Sequence, residues 1–176
     1  MREIYLAGGC FWGTEKAFRQ LDGILDTTVG YANGTVDDPT YEQVCTNTTG
    51  HRETVKIIYD PEQVSLNTIL RAFFLCIDPT QKNRQGNDIG SQYQTGIYTV
   101  DPESEAEVRA FVEQKKRLYP VFHTETGKLE CFWPAEEYHQ DYLEKHPQGY
   151  CHIASAEFEL IRKLNQEVKG NDPKSV

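Results

Sequence analysis

The feature that most constrains the fold is the order in which strand patterns and helix patterns follow one another. Six segments carry these patterns, in the order strand, helix, strand, strand, helix, strand: residues 2–7, 11–21, 24–31, 53–59, 66–77 and 95–100. This order is compatible with a ferredoxin-like split βαβ core. We therefore predict an α+β fold, a two-layer α/β sandwich with a ferredoxin-like split βαβ core and a mixed sheet.

The rest of the chain predicts further elements and one long polar connection. Additional helices are expected at 41–46, 102–118, 135–145 and 154–168, and a strand at 127–133. Residues 78–94 are almost wholly polar, and connections of this length are usually functional or disordered. No repeat or linker divides the sequence, so we predict a single domain over 1–176, in which 146–176 form a more mobile C-terminal segment.

Charge and cysteine content exclude several classes of protein. The net charge is −9, which argues against nucleic-acid and anionic-membrane partners. No apolar run approaches the roughly 20 residues that a membrane span needs, and the first residues show no signal-peptide core. The five cysteines include no Cys-x-x-Cys pair, which fits neither a disulfide scaffold nor a zinc site. We expect a cytoplasmic protein without a metal or another cofactor.

Cys10 stands where the first strand pattern gives way to the first helix pattern, directly after Gly8 and Gly9. The two glycines permit a tight turn between the elements. A thiol in the first turn of a helix lies near unpaired backbone N–H groups and the positive end of the helix dipole, which favour its thiolate. This position predicts a reactive cysteine. The alternative is that Cys10 is a buried small apolar residue, as free cysteines often are.

Four further side chains are candidates for the same chemistry. Glu53 begins an apolar strand, where burial would raise its pKa and make it a proton donor near neutral pH. Tyr41 begins a helix and Tyr93 lies near the end of the polar connection; tyrosine hydroxyls can bind a polar oxygen in a dry pocket. Asp88 lies in the same connection. The alternatives are a solvated glutamate, two core tyrosines and a turn-forming aspartate.

The other four cysteines differ in their surroundings. Cys151 follows Gly149 in a segment whose backbone can move, and a thiol that resolves an oxidised cysteine needs such reach. Cys76 lies among apolar residues and Cys131 lies before two aromatic residues, so both are expected to be packing residues. The sequence leaves the role of Cys45 undecided.

Five motifs, taken in order, resemble a known enzyme family. They are residues 9–13 (GCFWG), 41–45 (YEQVC), 49–53 (TGHRE), 83–93 (NRQGNDIGSQY) and 135–140 (AEEYHQ). From Ile4 to about Cys151 the chain resembles peptide methionine sulfoxide reductases of the A type, which act on the S-epimer of the sulfoxide. The resemblance implies an enzyme that reduces methionine-S-sulfoxide, free or in proteins, and so repairs proteins after oxidation.

The resemblance also implies roles for the reacting groups. Cys10 matches the family's nucleophile, which attacks the sulfoxide sulfur and becomes a sulfenic acid. Glu53 matches the acid that protonates the sulfoxide oxygen. Tyr41 and Tyr93 match the hydrogen-bonding partners of that oxygen. A sulfoxide sulfur is a poor electrophile until its oxygen is protonated, so the acid should be neutral when it acts.

For the pocket and the redox cycle, the resemblance implies four more assignments. Phe11 and Trp12 match aromatic walls around the ε-methyl group, and Asp88 matches a carboxylate that supports the pocket. Cys151 matches the resolving position and would form a disulfide with Cys10. Thioredoxin or a similar dithiol reductant would then reduce that disulfide.

The chain departs from the family pattern in two places, and two rival functions remain open. Ile77 replaces a histidine that many relatives have, and residues 154–176 contain no cysteine, so a relay of three cysteines through the tail is unsupported. Cys45 remains an alternative resolving cysteine. The rival functions are a thiol peroxidase or general disulfide oxidoreductase, and a module that binds oxidised methionine without turnover.

Overall fold

The computed structural model describes residues 1–170; the end of the predicted mobile segment, 171–176, lies outside the described residues. The strands are β1 (Arg2–Ala7), β2 (Ile24–Ala32), β3 (Arg52–Tyr59), β4 (Arg84–Gln85), β5 (Asp88–Ile89), β6 (Gly96–Thr99), β7 (Glu125–Lys128) and β8 (Phe132–Pro134). The helices are α1 (Phe11–Arg19), α2 (Tyr41–Cys45), α3 (Leu66–Cys76), α4 (Pro102–Lys116), α5 (Tyr142–Lys145) and α6 (Ser155–Gly170). Among residues 1–170, no helix combines the length and the apolar character that crossing a bilayer requires.

A six-stranded mixed sheet organises these elements in the order β7-β6-β1-β3-β2-β8. The pairs β1–β3, β1–β6 and β2–β3 are antiparallel, whereas β6 and β7 are parallel. The central order β6-β1-β3-β2 is that of a ferredoxin-like core, in which each of two helices connects strands that are not neighbours. The predicted α+β fold with a mixed sheet is confirmed.

Alternation along the strands divides the core between the two faces of the sheet. Ile4 and Leu6 of β1 are fully buried in the main core, together with α1 and α3. Tyr5, between them, points to the opposite face and joins a smaller cluster with Tyr98 and Phe132. The sheet is therefore covered by helices on one face and by the segment around residues 129–132 on the other.

Local side-chain caps explain where several helices begin. The Ser65 hydroxyl accepts a hydrogen bond from the Thr68 N–H at 3.1 Å and so caps the start of α3. Thr40 and Gln43 form a reciprocal capping box at α2. These caps fix the start of α2 at Tyr41, one of the candidate site residues.

The prediction of a single strand over 127–133 is wrong, because the structure contains two strands there at opposite edges of the sheet. β7 pairs with β6 and β8 pairs with β2. Between them the chain crosses the sheet face, and Asn33 guides the crossing by accepting the Glu130 N–H at 2.8 Å on Oδ1. An apolar pattern reports burial but not the strand partner, so the sequence did not reveal the break.

The predicted helix over 135–145 is also interrupted. The structure has a 3₁₀ turn at Glu137–His139 and then α5, separated by Asp141 in the left-handed region at φ 55°. Gln140 binds the backbone of Val29 with both its side-chain oxygen and its side-chain nitrogen, at 3.0 and 2.9 Å. These bonds from a side chain to a sheet edge compete with a continuous helix.

Candidate active site

Three strands have their ends side by side along one edge of the sheet, the edge that runs across the strands, and the candidate residues lie along it. β1 runs toward this edge and ends at Ala7, while its antiparallel neighbours β3 and β6 begin there. Leu6 lies opposite Val55 of β3, and Ala7 lies opposite Gly96 of β6. The residues that follow β1 therefore lie close to the first residues of β3 and to the residues just before β6. Sequence-distant segments are thereby placed around the residue that follows the turn, Cys10.

Cys10 is the N-cap residue of α1 and is 6% exposed. The turn from β1 uses Gly9 at φ +82°, a conformation that favours glycine. The Thr14 hydroxyl donates to the Gly8 and Cys10 carbonyls at 3.1 and 3.3 Å and fixes this turn. The predicted position at the start of a helix is therefore present in the structure.

The net effect of this environment on the Cys10 pKa is opposite to the prediction from the helix end. Burial raises the pKa of the thiol well above its usual value, and the nearby Glu53 carboxylate raises it further. The backbone N–H groups of Trp12 and Gly13 lower it, as expected at a helix N-terminus, but by less. The helix end therefore moderates the cost of a buried thiolate without making the thiolate the favoured form.

Glu53 is 1% exposed, which excludes the alternative of a solvated glutamate. Its Oε1 accepts the Phe11 N–H at 3.3 Å, and its Oε2 accepts a hydrogen bond from Gln92 Nε2 at 3.2 Å. Burial raises the pKa of this carboxyl to about 8, against the lowering effect of both hydrogen bonds. At neutral pH the carboxyl is therefore mostly protonated and can donate a proton.

Tyr41, the first residue of α2, and Tyr93, which lies three residues before β6, are near Cys10 and Glu53. Burial, followed by the charge on Glu53, raises the pKa of both hydroxyls, and the Cys10 charge also contributes to each. Both tyrosines therefore stay protonated and can donate hydrogen bonds to an oxygen atom. The structure thus places Cys10, Glu53, Tyr41 and Tyr93 close enough for their charges to influence one another.

Asp88 is placed farther out, on β5, and interacts with Tyr150 of the C-terminal segment. Burial raises the Asp88 pKa, and the nearby Tyr150 hydroxyl lowers it by less. Its charge also contributes to the raised pKa of Cys10 and of Glu53. Asp88 is therefore part of the site's electrostatic surroundings and not only a turn former.

The two aromatic residues after Cys10 have different positions. Phe11 is 1% exposed and belongs to the main core, whereas Trp12 is only partly buried. Trp12 stacks on Tyr142 of α5, with ring centroids 3.8 Å apart. Its Nε1 donates to His139 Nδ1 at 3.0 Å. The indole is thus fixed on two sides and leaves part of its surface open.

His139 and Gln92 are two site residues that the sequence reasoning missed. The His139 ring is 1% exposed and contacts the rings of Phe11, Trp12 and Tyr41. Burial lowers its pKa, so the ring is neutral and Nδ1 can accept from Trp12. Both residues lie inside the motifs at 83–93 and 135–140, which was the available signal.

Cys151 lies beside the first turn of α1. Its Sγ is 3.0 Å from the point that a β-carbon on Gly13 would occupy, and Gly13 is three residues beyond Cys10. Burial raises the pKa of the Cys151 thiol. The structure therefore places the predicted resolving cysteine next to the helix turn that Cys10 begins.

The other three cysteines are also free. Cys45 is exposed, and its sulfur accepts from Gln92 Nε2 at 3.3 Å. Cys76 is buried, and burial raises its pKa, whereas the Cys131 thiol contacts the Gly34 carbonyl at 3.6 Å. Cys76 and Cys131 are packed against other parts of the chain, as predicted. Across residues 1–170, no group of three or more His, Cys, Asp or Glu side chains could bind a metal ion.

A ferredoxin-like core that places a buried cysteine beside a protonated carboxyl and two tyrosine hydroxyls has the features of a thiol-dependent oxidoreductase. The family described as peptide methionine sulfoxide reductase matches residues 2–170. Peptide methionine sulfoxide reductase MsrA of Mycoplasma pneumoniae is 51% identical over 154 residues, which are 87% of this chain and 98% of that protein. The chain belongs to the peptide methionine sulfoxide reductase family, and the resemblance predicted from its motifs is confirmed.

Methionine sulfoxide reductase A of Corynebacterium diphtheriae has a similar solved structure, with a TM-score of 0.81 and 38% identity, covering 85% of this chain and 77% of that one. Reduced Mxr1 of Saccharomyces cerevisiae has a TM-score of 0.81 and 38% identity, covering 85% of this chain and 88% of that one. Mxr1 in complex with Trx2 has a TM-score of 0.58 and 26% identity, covering 80% of this chain and 84% of that one.

Proposed function

We propose that this protein reduces methionine-S-sulfoxide, free or in proteins, to methionine, and thereby repairs proteins after oxidation. The observation that carries the proposal is the placement of Glu53, a carboxyl with a pKa of about 8, on the N–H of Phe11, the residue that follows the buried thiol of Cys10. A nucleophile and a proton donor are the two groups that sulfoxide reduction requires. Family membership supports the same reaction.

In the first step, the Cys10 sulfur attacks the sulfoxide sulfur while Glu53 donates a proton to the sulfoxide oxygen. Tyr41 and Tyr93 donate hydrogen bonds to that oxygen and stabilise it as its bond to sulfur weakens. The S–S bond formed by this attack and the S–O bond of the sulfoxide both break as the oxygen passes to Cys10, so the products are methionine and the Cys10 sulfenic acid. The proton that Glu53 supplies is regained from the Cys10 thiol over the whole step.

The substrate's ε-methyl group would lie against the aromatic residues Phe11 and Trp12. Trp12 is the partly open surface, since Phe11 is almost fully buried behind it. His139 and Tyr142 fix the indole. Asp88 would support the outer side of the pocket. An apolar surface with a few fixed donors suits a side chain that is apolar apart from one oxygen.

Cys151 would then attack the Cys10 sulfenic acid, releasing water and forming a Cys10–Cys151 disulfide. Thioredoxin or a similar dithiol would reduce this disulfide, a proposal supported by the solved complex of the yeast family member with Trx2. Cys45 stays an alternative resolving cysteine because it is exposed and contacts Gln92. A reducing, cytoplasmic location is part of the proposal and agrees with the five free cysteines.

We also propose that residues 1–176 form a single catalytic domain whose C-terminal segment, from residue 146, moves during the cycle. Motion of this segment would present the disulfide to the reductant. The Cys151 sulfur is half-buried, so a reductant needs some displacement of the segment to reach it.

The deciding experiment is sulfoxide reduction by a Cys10→Ser variant with dithiothreitol as the reductant. Because the hydroxyl is a far weaker nucleophile than a thiolate, we expect no methionine above background. Retained reduction would exclude Cys10 as the nucleophile. Turnover of hydrogen peroxide, measured beside that of a methionine sulfoxide peptide, separates the proposal from a thiol peroxidase, and absence of any methionine product would favour a binding module.

A further inference from the structure

The ring of His152 lies between Gly9 and Gly13, the two glycines that flank Cys10. His152 Nε2 is 3.4 Å from the point that a β-carbon on Gly9 would occupy. Its Nδ1 and Cε1 are 3.2 and 3.3 Å from the corresponding point on Gly13. A side chain at Gly13 would crowd the imidazole, whereas one at Gly9 would touch the ring and meet Gln85 more closely, at 2.8 and 3.0 Å. The two glycines therefore form a cradle, defined here by Gly9 and Gly13, that accommodates the residue after Cys151.

The imidazole is removed from water inside this cradle. Both ring nitrogens are buried and make no hydrogen bond of normal geometry to the described residues. Burial lowers the His152 pKa, and the nearby carbonyls of Cys76 and Gly8 raise it by less. The ring is therefore neutral, and close packing is what fixes its place between the glycines.

The residues beside His152 hold the same stretch of chain, chiefly from the C-terminal side. The Tyr150 side chain is exposed and its hydroxyl lies near Asp88, whereas Ile153 is 6% exposed and belongs to the main core. The Cys151 sulfur, between these attachments, lies 3.0 Å from the β-carbon point of Gly13. His152 thus adjoins Cys151 in the chain, and its ring contacts the same glycine as the Cys151 sulfur.

We propose that His152 is a positioning residue for the resolving step: its ring, packed in the Gly9–Gly13 cradle, keeps the Cys151 sulfur beside the helix turn that Cys10 begins. The inference rests on the proposed roles of Cys10 and Cys151. In that step the S–S bond forms as the S–O bond of the sulfenic acid breaks, and the Cys151 thiol proton leaves with the hydroxyl as water. Cys151 is oxidised and Cys10 is reduced, with no outside reagent. Fixing two reacting groups side by side raises their effective concentration.

The test compares His152→Ala with His146→Ala, a matched change at an exposed histidine in the same segment. Each protein receives one equivalent of a methionine sulfoxide peptide, and quenched samples are alkylated and analysed by mass spectrometry. In His152→Ala we expect methionine release within about twofold of wild type but Cys10–Cys151 disulfide formation at least about tenfold slower, because proximity and not sulfoxide chemistry is lost. The sulfenic acid should accumulate and react with a 1,3-diketone. His146→Ala should follow wild type in both steps.

A second measurement does not depend on sulfoxide reduction. Equilibration with reduced and oxidised glutathione gives the effective concentration of the Cys10–Cys151 pair, which we expect to fall at least about tenfold in His152→Ala. Gly13→Ala, which adds a methyl group where the ring and the Cys151 sulfur pack, should lower it as well. Thermal unfolding shows whether each variant is folded. An unchanged effective concentration in folded His152→Ala would overturn the inference, whether or not the protein reduces sulfoxides.

Discussion

At the residue scale, the site depends on two buried acidic groups that disfavour each other's charge. Burial raises the pKa of both Cys10 and Glu53, and the Glu53 charge raises that of Cys10 further. A thiolate on Cys10 is therefore least unfavourable when Glu53 is protonated. That form supplies a nucleophile and an acid together, which is the combination that attack on a sulfoxide needs.

The first residue-scale prediction concerns the acid. Glu53→Gln replaces the carboxyl group with an amide of similar size and removes the transferable proton. Dithiothreitol-driven reduction should therefore fall by about 10²–10⁴-fold. In wild type, the reactive form pairs a Cys10 thiolate with a protonated Glu53 and so keeps one proton on the pair. Because the Cys10 pKa is also raised, the rate should rise with pH up to about 8 and then level off. A rate profile measured across this pH tests both points. A variant with wild-type rates would exclude Glu53 as the acid.

The same carboxyl predicts a pH-dependent difference in stability. Its folded-state pKa, about 8, lies above its ordinary value of 4.5, so the folded protein binds more protons between these values. The stability gained from this group is complete below the ordinary pKa and is lost as pH rises through about 8. Urea unfolding should therefore show Glu53→Gln gaining stability relative to wild type as pH increases. Parallel curves would contradict a buried, neutral carboxyl.

At this scale, the sequence could predict which residues are candidates for the site but not how burial and neighbouring charges shift their pKa values. The helix end at Cys10 is encoded within a few residues, and it was predicted correctly. The direction of its pKa is set mainly by burial and by Glu53, which lies 43 positions away and is brought close only by strand pairing. Gln92 and His139 were missed for the same reason, because each acts through a distant partner.

At the element scale, periodicity predicted the core strands and helices well and the edges poorly. β1, α1, β3 and α3 agree with prediction to within a few residues, since each carries a continuous apolar face. The failures lie at 127–133 and 135–145, where polar side chains of Asn33 and Gln140 bind backbone groups of other segments. Such bonds depend on tertiary neighbours and leave no periodic signal in the sequence.

Glu15 joins several elements around the site through hydrogen bonds. This buried residue of α1 accepts hydrogen bonds from the Thr27 hydroxyl at 2.9 Å and the Asp141 N–H at 2.7 Å. Arg19 also forms an ion pair with Asp141. Glu15 thus links α1 to β2 and to the start of α5, the helix that carries the Tyr142 ring stacked on Trp12.

Glu15→Ala should lower the free energy of unfolding by about 2–4 kcal/mol, because it leaves two buried donors without their acceptor. Chemical denaturation measures this change, with Glu113→Ala on the exposed side of α4 as the control. The control should stay within about 0.5 kcal/mol of wild type. If the two variants were equally stable, the link through Glu15 would contribute little to the fold.

At the scale of the whole molecule, the topology accounts for why residues far apart in sequence form one site. β1 lies between β3 and β6, so the end of β1 and the starts of its two neighbours share one sheet edge. Cys10, Glu53 and Tyr93 belong to those three strand ends. The predicted ferredoxin-like core agrees with this arrangement of strands, whereas the return of Cys151 to α1 required the structure.

The position of Cys151 beside α1 predicts that sulfoxide reduction at Cys10 can be separated from recycling by thioredoxin. Cys151→Ser retains the Cys10 site, so it should release one methionine per protein at the wild-type rate and continue to turn over with dithiothreitol. It cannot form the Cys10–Cys151 disulfide, so thioredoxin-supported cycling should fall by about 100-fold or more, because exchange requires a disulfide for the reductant to attack. Methionine release with each reductant gives the comparison, and Cys131→Ser, at a packed thiol against Gly34, is the matched control. Normal thioredoxin-driven rates in Cys151→Ser would transfer the resolving role to Cys45 or to direct reduction of the sulfenic acid.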